Sequence, residues 1–172
     1  MLNAADIVDQ LTPALHAPAA GVRVGIDTVS VPGIVDSLAH FGERFVQRFF
    51  TAQEAVDARA VQGDAAMHER LAARFAAKEA VIKALDLPEA GIGWRDIELT
   101  RGANGRPALA LHGRAAEVAK ALGVREWAVS ISHEREQACA VVVALLGAAP
   151  TGAAPTGTAP NSDFLTSDSF RT

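Results

Sequence analysis

The sequence predicts an α+β domain in which a mostly antiparallel sheet packs against one long helix. Short segments with strand-like patterns lie at both ends of the central region, one long helical stretch lies in its middle, and a tight-turn signal joins two further strands. The chain has 172 residues, of which 49% are hydrophobic. This composition suffices for one core and excludes a wholly disordered or collagen-like chain.

The first predicted element is a half-buried strand over 22–27, in which Val22, Val24 and Ile26 alternate with polar or small residues and whose polar side ends in Asp27. A helix over 32–40 opens at Pro32, and a second helix follows Thr51, where the residues Thr-Ala-Gln-Glu fit a capping box. The longest helix is predicted over 65–85.

The second half of the central region is predicted to be mostly strands. Asn104-Gly105 is a tight-turn signal between strands over 97–101 and 108–112. A short helix over 115–122 is stopped by Gly123. Strands over 127–133 and 138–146 follow, and the few residues between them form a hairpin.

Three regions of different composition divide the chain. Residues 1–20 are predicted to form an amphipathic helical extension, residues 21–146 the folded domain, and residues 147–172 a flexible tail. The tail is rich in Ala, Pro, Thr and Gly, which cannot bury enough apolar area to offset the entropy of ordering the chain.

Composition and charge exclude several classes of function. Sixteen Lys+Arg against twenty Asp+Glu, with few aromatic residues, argue against a nucleic-acid binder. Cys139 is the single cysteine, so no intrachain disulfide forms, and its apolar surroundings predict a small buried residue. The apolar run around it is too short to cross a bilayer. The first twenty residues lack Lys and Arg, so we expect no secretory signal and a cytoplasmic protein.

The long helix carries charges beside its apolar stripe, which consists of Leu71, Phe75, Ile82 and Leu85. Lys78 falls in the middle of that stripe, where an unpaired ammonium is unfavourable. Glu79 and Lys83 lie on one flank beside small alanines, which leave room for a ligand, and Arg74 lies on the opposite flank. The alternative is a solvated helix with ordinary charge pairs.

Asp27 suggests a metal site. A carboxylate at a strand end is commonly a turn or cap residue, but together with a carboxylate on a neighbouring helix it fits a hard cation. Mg²⁺ takes one or two protein carboxylates plus phosphate oxygens and water. The basic residues Arg74, Lys78 and Lys83 suit the remaining phosphate charge. The residues therefore favour a metal–pyrophosphate site.

A third candidate is the strand end Ser130-Ile131-Ser132-His133. A Ser/His pair suggests acyl hydrolysis, but neighbouring strand residues point to opposite faces, so Ser132 and His133 are poorly placed as nucleophile and base. The sequence contains no Gly-x-Ser-x-Gly elbow, Walker loop or Rossmann glycine pattern. A polar strand end that lines a ligand site is favoured over acyl hydrolysis, and a half-exposed histidine without function stays open as the alternative.

Taken together, the motifs resemble the holo-acyl-carrier-protein synthase family, the small type of 4′-phosphopantetheinyl transferase. Four segments match in order: VGID at 24–27, RFAAKEAVIKA at 74–84, NGRP at 104–107 and VSISH at 129–133. The resemblance covers essentially all of 21–146. It implies that family's fold, usually a homotrimer with nucleotide sites between subunits.

The resemblance implies transfer of the 4′-phosphopantetheine arm of coenzyme A to a serine of a carrier protein, with release of 3′,5′-ADP, in fatty-acid or related lipid metabolism. Asp27 and Glu79 would hold Mg²⁺, and Lys83 would contact the phosphates. Either Glu79 or a water held by the metal would take the serine proton. The nucleotide end would be bound by further residues, namely Arg74, Ser132, His133 and the turn Asn104, Gly105, Arg106 and Pro107. Lys78 would have a phosphate or a subunit-interface partner.

The sequence departs from the family at the surface where a carrier would dock. A basic first helix is expected, whereas residues 30–43 contain no Lys or Arg, and Arg44 and Arg48 only follow. The carrier is therefore either a small acyl carrier protein or a carrier domain of a fatty-acid or polyketide synthase. Glu134 follows His133, where a small hydroxyl residue is expected.

Two other functions stay open at this stage. One is a non-catalytic subunit that binds carriers within a fatty-acid or polyketide assembly, and the other is a metal-dependent nucleotide hydrolase. The intact set Asp27, Glu79 and Lys83 favours the transferase, because a scaffold has no use for it.

Overall fold

The computed structural model describes residues 21–86, 91–102 and 105–147. The predicted extension over 1–20, the predicted tail beyond Gly147 and the turn residue Asn104 lie outside the described residues.

Ten helices and strands and one short 3-10 turn make up the described chain, and their order confirms the predicted α+β class. In chain order they are β1 (Val22–Ser30), α1 (Val31–Phe41), α2 (Glu43–Phe49), α3 (Ala52–Arg59), α4 (Asp64–Leu85), the 3-10 turn (Trp94–Asp96), β2 (Ile97–Arg101), β3 (Pro107–Leu111), α5 (Gly113–Ala121), β4 (Val124–Glu134) and β5 (Gln137–Leu146).

Two antiparallel sheets form the β-structure. The larger has the strand order β1-β5-β4, and the smaller is the hairpin of β2 and β3. Helix α4 packs on one face of the larger sheet and contributes to both hydrophobic clusters of the core. The predicted arrangement of an antiparallel sheet against one long helix is therefore confirmed. Among the described residues, no helix has the length and apolar character that crossing a bilayer requires.

Local capping explains where the helices begin. Ser30 accepts a hydrogen bond from the backbone of Gly33 at the start of α1. At α3, Thr51 and Glu54 form the predicted capping box in both directions. Helix α2 was not predicted. It starts afresh because Gly42, with φ of 57°, ends α1 in a conformation that favours glycine.

The small alanines of α4 let the larger sheet pack closely against the helix, so the space beside them is not open to a ligand. Ala72, Ala76 and Ala80 are all fully buried. A Cβ atom on Gly25 of β1 would lie 1.9 Å from the carbonyl oxygen of Ala80, so the strand touches the helix backbone. The expectation that these small residues leave room for a bound molecule is wrong, because the sheet fills that space.

The apolar side of β1 faces away from the helix. Val22, Val24 and Ile26 are 58–59% exposed, whereas Gly25 and Asp27 lie on the side toward α4. The sequence predicted the opposite, since alternation alone does not show which side a helix will cover. We call the outward side of the larger sheet the outer sheet face. It contains Val22, Val24, Ile26, Ala128, Ser130, Ser132, Cys139, Val141, Val143 and Leu145.

Cys139 lies on the outer sheet face, between Thr28 of β1 and Ser132 of β4. Its side chain is partly exposed. The prediction of a buried core position is therefore wrong for the isolated chain, since β5 is apolar on both sides and only one side meets α4.

Candidate active site

A cluster of charged side chains joins β1 to the C-terminal half of α4. The Nζ atom of Lys83 lies 2.7 Å from Oδ1 of Asp27, although the two residues are 56 positions apart in the chain. Glu79 lies one turn before Lys83 on the same flank, close enough to act on its charge. We call Asp27, Glu79 and Lys83 the carboxylate cluster.

The carboxylate cluster stabilises the protonated form of Lys83. The hydrogen bond and the charge of Asp27 raise the pKa of Lys83 above its ordinary value, and Glu79 adds to the rise. Because the pKa is raised, the contribution of this pair to stability is present below the ordinary lysine pKa and is lost only as the pH rises through the alkaline range. At neutral pH the cluster therefore presents one cation between two carboxylates.

The carboxylate cluster fits a hard divalent cation. Asp27 is mostly buried, with its side chain 15% exposed, and both Asp27 and Glu79 lie close to Lys83. The described residues contain no group of three or more His, Cys, Asp or Glu side chains that could hold a metal. A two-carboxylate set is what Mg²⁺ uses when substrate phosphates and water complete its coordination.

A second group of predicted residues lines a cavity of about 310 Å³. Its walls come from the N-terminal half of α4, the β2–β3 hairpin and the end of β4. We call it the basic cavity. Its charged and predicted wall residues are Glu69, Arg70, Arg74, Arg101, Gly105, Pro107 and His133. The structure thus brings together four residues that the sequence assigned to the nucleotide end, namely Arg74, Gly105, Pro107 and His133.

Arg74 places a largely buried guanidinium at the wall of the basic cavity. Its side chain is largely buried, with the residue 8% exposed. Nη1 donates to the carbonyl oxygen of Arg70 at 3.1 Å, and Nη2 lies 4.0 Å from Oδ2 of Asp57. Nε is buried and has no hydrogen-bond partner within the described part of the chain. Burial lowers the pKa of Arg74, and the negative charges of the nearby Glu54 and Asp57 oppose this effect. The guanidinium charge at the cavity wall favours an anion there.

His133 meets a carboxylate that the sequence analysis did not identify. Its Nδ1 atom lies 3.2 Å from Oε2 of Glu69 on α4. The two residues are 64 positions apart, and no spacing rule links them. Only the packing of β4 against α4 reveals the pair.

Two other predicted ligands lie apart from the basic cavity. Ser132 is exposed on the outer sheet face, which corrects its predicted place beside His133 in one ligand site. The alternation of strand side chains sends the two neighbours to opposite sides. Arg106 is exposed in the β2–β3 turn and is not among the residues that line the cavity.

Lys78 is an internal structural residue, which corrects the expectation of a phosphate or subunit partner. It is fully buried, and its Nζ atom lies 2.7 Å from Oε2 of Glu54. Nζ also donates to the carbonyl oxygens of Trp94, at 3.0 Å, and Ile97. Burial lowers the pKa of Lys78, and the charge of Glu54 opposes that effect. All three ammonium protons therefore have partners inside the protein.

The carboxylate cluster and the basic cavity lie on different flanks of α4. Arg74 and Glu79 are separated by about 140° around the helix. The residues that line the cavity do not include Asp27, Glu79 or Lys83. One chain therefore carries two half-sites, one suited to a cation with phosphates and the other to an anion with a small ligand.

An α+β fold with a two-carboxylate cluster, a lysine and a separate basic cavity is the class of protein in which a phosphorylated substrate can be bound. More specifically, the chain belongs to the 4′-phosphopantetheinyl transferase superfamily, whose family model matches residues 23–142. This match confirms the resemblance drawn from the sequence motifs.

Named relatives and solved structures agree with this assignment. The chain is 46% identical over 134 residues to the holo-[acyl-carrier-protein] synthase of Chloroflexus aurantiacus, covering 72% of this chain and 97% of the relative. The ACPS–CoA complex of Chronobacterium ammoniagenes has a TM-score of 0.64 at 31% identity, covering 74% of this chain and 98% of that one. The Bacillus anthracis synthase in complex with CoA (3′,5′-ADP) has a TM-score of 0.60 at 30% identity, covering 75% and 100% respectively.

Proposed function

We propose that the chain transfers the 4′-phosphopantetheine arm of coenzyme A to a serine of an apo-acyl carrier protein and releases 3′,5′-ADP. The observation that carries the proposal is the contact between Asp27 and Lys83 beside Glu79. These residues are distant in the sequence, and they converge at one end of α4 in a member of the phosphopantetheinyl transferase superfamily.

The reaction is a phosphoryl-type transfer. The serine oxygen forms a bond to the phosphorus that carries the pantetheine arm, and the bond from that phosphorus to the bridging oxygen breaks, so 3′,5′-ADP leaves with the electron pair. Asp27 and Glu79 would hold Mg²⁺, which when bound neutralises the pyrophosphate charge. Lys83 would donate to the phosphates and stabilise the leaving group. Glu79 and a nearby water are the two candidates to accept the serine proton.

The basic cavity would take the nucleotide end of coenzyme A. The guanidinium of Arg74 and the imidazole of His133, both in the cavity wall, suit the 3′-phosphate. The β2–β3 turn, with Gly105 and Pro107 in the cavity wall, would lie against the adenine.

We further propose that the protein works as a homotrimer with active sites between subunits. Two observations support this. The half-sites lie on different flanks of α4, so a neighbouring copy is needed to join a carboxylate cluster to a basic cavity. The outer sheet face exposes a continuous apolar surface, where Val24 pairs with Val143 and Ile26 with Val141, and such surfaces mark protein interfaces.

The carrier is expected to dock without a basic first helix. Helix α1 contains no Lys or Arg and exposes Asp36 and Phe41. This surface suits a less acidic carrier, such as a carrier domain of a fatty-acid or polyketide synthase, as well as a small acyl carrier protein. The cytoplasmic location expected from the sequence stays a prediction.

Intact-mass spectrometry of apo-carriers incubated with the protein, coenzyme A and Mg²⁺ tests the function. We expect each carrier serine to gain one phosphopantetheinyl group, with one 3′,5′-ADP released. Asp27→Ala or Glu79→Ala should lower the rate by about 100-fold or more, because each removes transition-state charge stabilisation. Omitting Mg²⁺ should have a similar effect.

Glu117→Ala serves as the matched control, since it removes an exposed carboxylate of α5 that pairs with Arg114. Its rate should equal that of the unsubstituted protein. Carrier binding without a mass gain would instead indicate a non-catalytic subunit. Cleavage of coenzyme A without a carrier would indicate a hydrolase.

A further inference from the structure

We propose that Glu69 is a positioning residue for His133 in the basic cavity, where it aligns the imidazole for the 3′-phosphate of coenzyme A. The inference rests on the function proposed above. Among the described wall residues, Glu69 is the one carboxylate, and it stands with the cations Arg70, Arg74 and Arg101. Its negative charge opposes phosphate binding, so its presence requires a role other than attraction of the ligand.

The contact between Glu69 and His133 determines which ring nitrogen carries a proton. Oε2 of Glu69 lies 3.2 Å from Nδ1 of His133, and the side chains are 23% and 39% exposed. An ionised carboxylate only accepts hydrogen bonds, so Nδ1 must be the donor. This bond holds the plane of the ring and favours the Nδ1–H tautomer in the neutral state, and Nε2, on the opposite side of the ring, donates to a ligand when it is protonated as well.

A phosphate needs this orientation because its oxygens also only accept hydrogen bonds. When both ring nitrogens are protonated, Nδ1–H stays with Glu69 and Nε2–H is the donor left for the phosphate. Without Glu69 the ring can rotate, or Nδ1–H can turn toward solvent. Binding of the ligand then carries the entropic cost of ordering the ring.

Arg70 and Arg74 use part of their hydrogen-bonding capacity within the protein, so His133 can contribute to the binding of an anion. Nη1 of Arg70 donates to the carbonyl oxygen of Asp57 at 2.9 Å, which directs that side chain toward α3. Nη1 of Arg74 donates to the carbonyl oxygen of Arg70, and its Nε is unpaired. The ring of His133 is therefore a wall group that can donate to an anion, and Glu69 holds that ring.

Dephospho-coenzyme A, which lacks the 3′-phosphate, provides the decisive comparison. We expect the unsubstituted protein to prefer coenzyme A by its kcat/KM. Glu69→Ala should lower this preference about three- to tenfold, the worth of one ordinary hydrogen bond, through a higher KM for coenzyme A with kcat nearly unchanged. Kinetics with dephospho-coenzyme A should not change. Glu69→Gln, whose amide oxygen still accepts from Nδ1–H, should retain most of the preference.

A double-substitution cycle separates positioning from a general structural effect. In a His133→Ala background, Glu69→Ala should cause no further loss of preference. Glu117→Ala is the control for loss of an exposed carboxylate. Nitrogen-15 NMR of the full chain supplies a readout that is independent of activity: His133 should be protonated at Nδ1 in the unsubstituted protein, and Glu69→Ala should remove that pattern.

Several results would overturn the inference. Two of them are an equal loss of kcat/KM with both substrates and additive effects in the double-substitution cycle. The others are a stronger preference for coenzyme A in Glu69→Ala and, in the unsubstituted protein, a neutral His133 ring that is protonated at Nε2. An unsubstituted protein that transfers from both substrates equally well would also overturn it while leaving the proposed function intact. An unsubstituted protein that transfers nothing overturns the proposed function, whereas the NMR result would still report on the pair.

Discussion

Lys78 has a different environment and a different role from its neighbours in the sequence. It lies directly before Glu79 in the motif that identifies the family, yet it is buried on another side of α4. Its partner Glu54 also accepts from the backbone of Leu99 at 3.0 Å and of Thr51 at 2.9 Å. The pair therefore ties α3, α4 and β2 together at one point. Such a fully buried pair is sensitive to the loss of either member.

Lys78→Met should destabilise the protein by about 3–5 kcal/mol, because it leaves the carboxylate of Glu54 buried without its cation. Chemical denaturation measures the change in the free energy of unfolding. Arg114→Ala removes a pair whose side chains are 61% and 68% exposed and should change stability by about 0–1 kcal/mol. A loss for Lys78→Met no larger than that of Arg114→Ala would show that the buried pair contributes little.

At the scale of elements, the contact between β1 and α4 positions the carboxylate cluster. Gly25 lets the strand reach the helix backbone at Ala80, and Asp27 lies two residues further along the same side. The distance between Asp27 and Lys83 therefore depends on a glycine that is not part of the site. The alanines of α4 contribute in the same way, since any larger side chain would push the sheet away.

Gly25→Ala should destabilise the protein by about 1–3 kcal/mol or more and lower transferase activity, because the new methyl would meet backbone atoms that cannot rotate away. Thermal unfolding and the carrier assay measure the two effects. Gly33→Ala in α1 is the matched control, since its added Cβ would have only ordinary contacts, the nearest at 3.6 Å to Ser30. That variant should be as stable as the parent or slightly more so. Wild-type stability and activity in Gly25→Ala would contradict the close packing described here.

At the scale of the whole molecule, one described chain presents a carboxylate cluster and a basic cavity that lie apart, and an uncovered apolar surface. The outer sheet face lies on the side of β1 and β5 opposite to α4. Covering it with neighbouring copies would remove exposed valine and isoleucine side chains from water. In the proposed trimer the same contacts would bring one chain's carboxylate cluster to another chain's basic cavity, so assembly and activity would be coupled.

Val24→Asp should dissociate the proposed trimer, because it places a charge among the apolar residues of the outer sheet face. Sedimentation velocity should show monomers, and the carrier assay should show that most activity is lost. Val56→Asp on α3 is the matched control, since Val56 is 60% exposed and lies away from the sheet. It should leave both assembly and activity unchanged. A monomeric parent protein with full activity would refute the proposed shared site.

The sequence by itself determined the order and type of most elements, the family and the residues of the carboxylate cluster. These depend on local features, namely the capping box at Thr51, the alternation in β1 and the ordered motifs around Asp27 and Glu79. Only the tertiary structure decided which side of β1 is covered, that Lys78 pairs with Glu54, and that Glu69 meets His133. Periodicity reports that side chains alternate but not which neighbour will cover them, and partners far apart in the chain become visible only when the sheet packs on the helix.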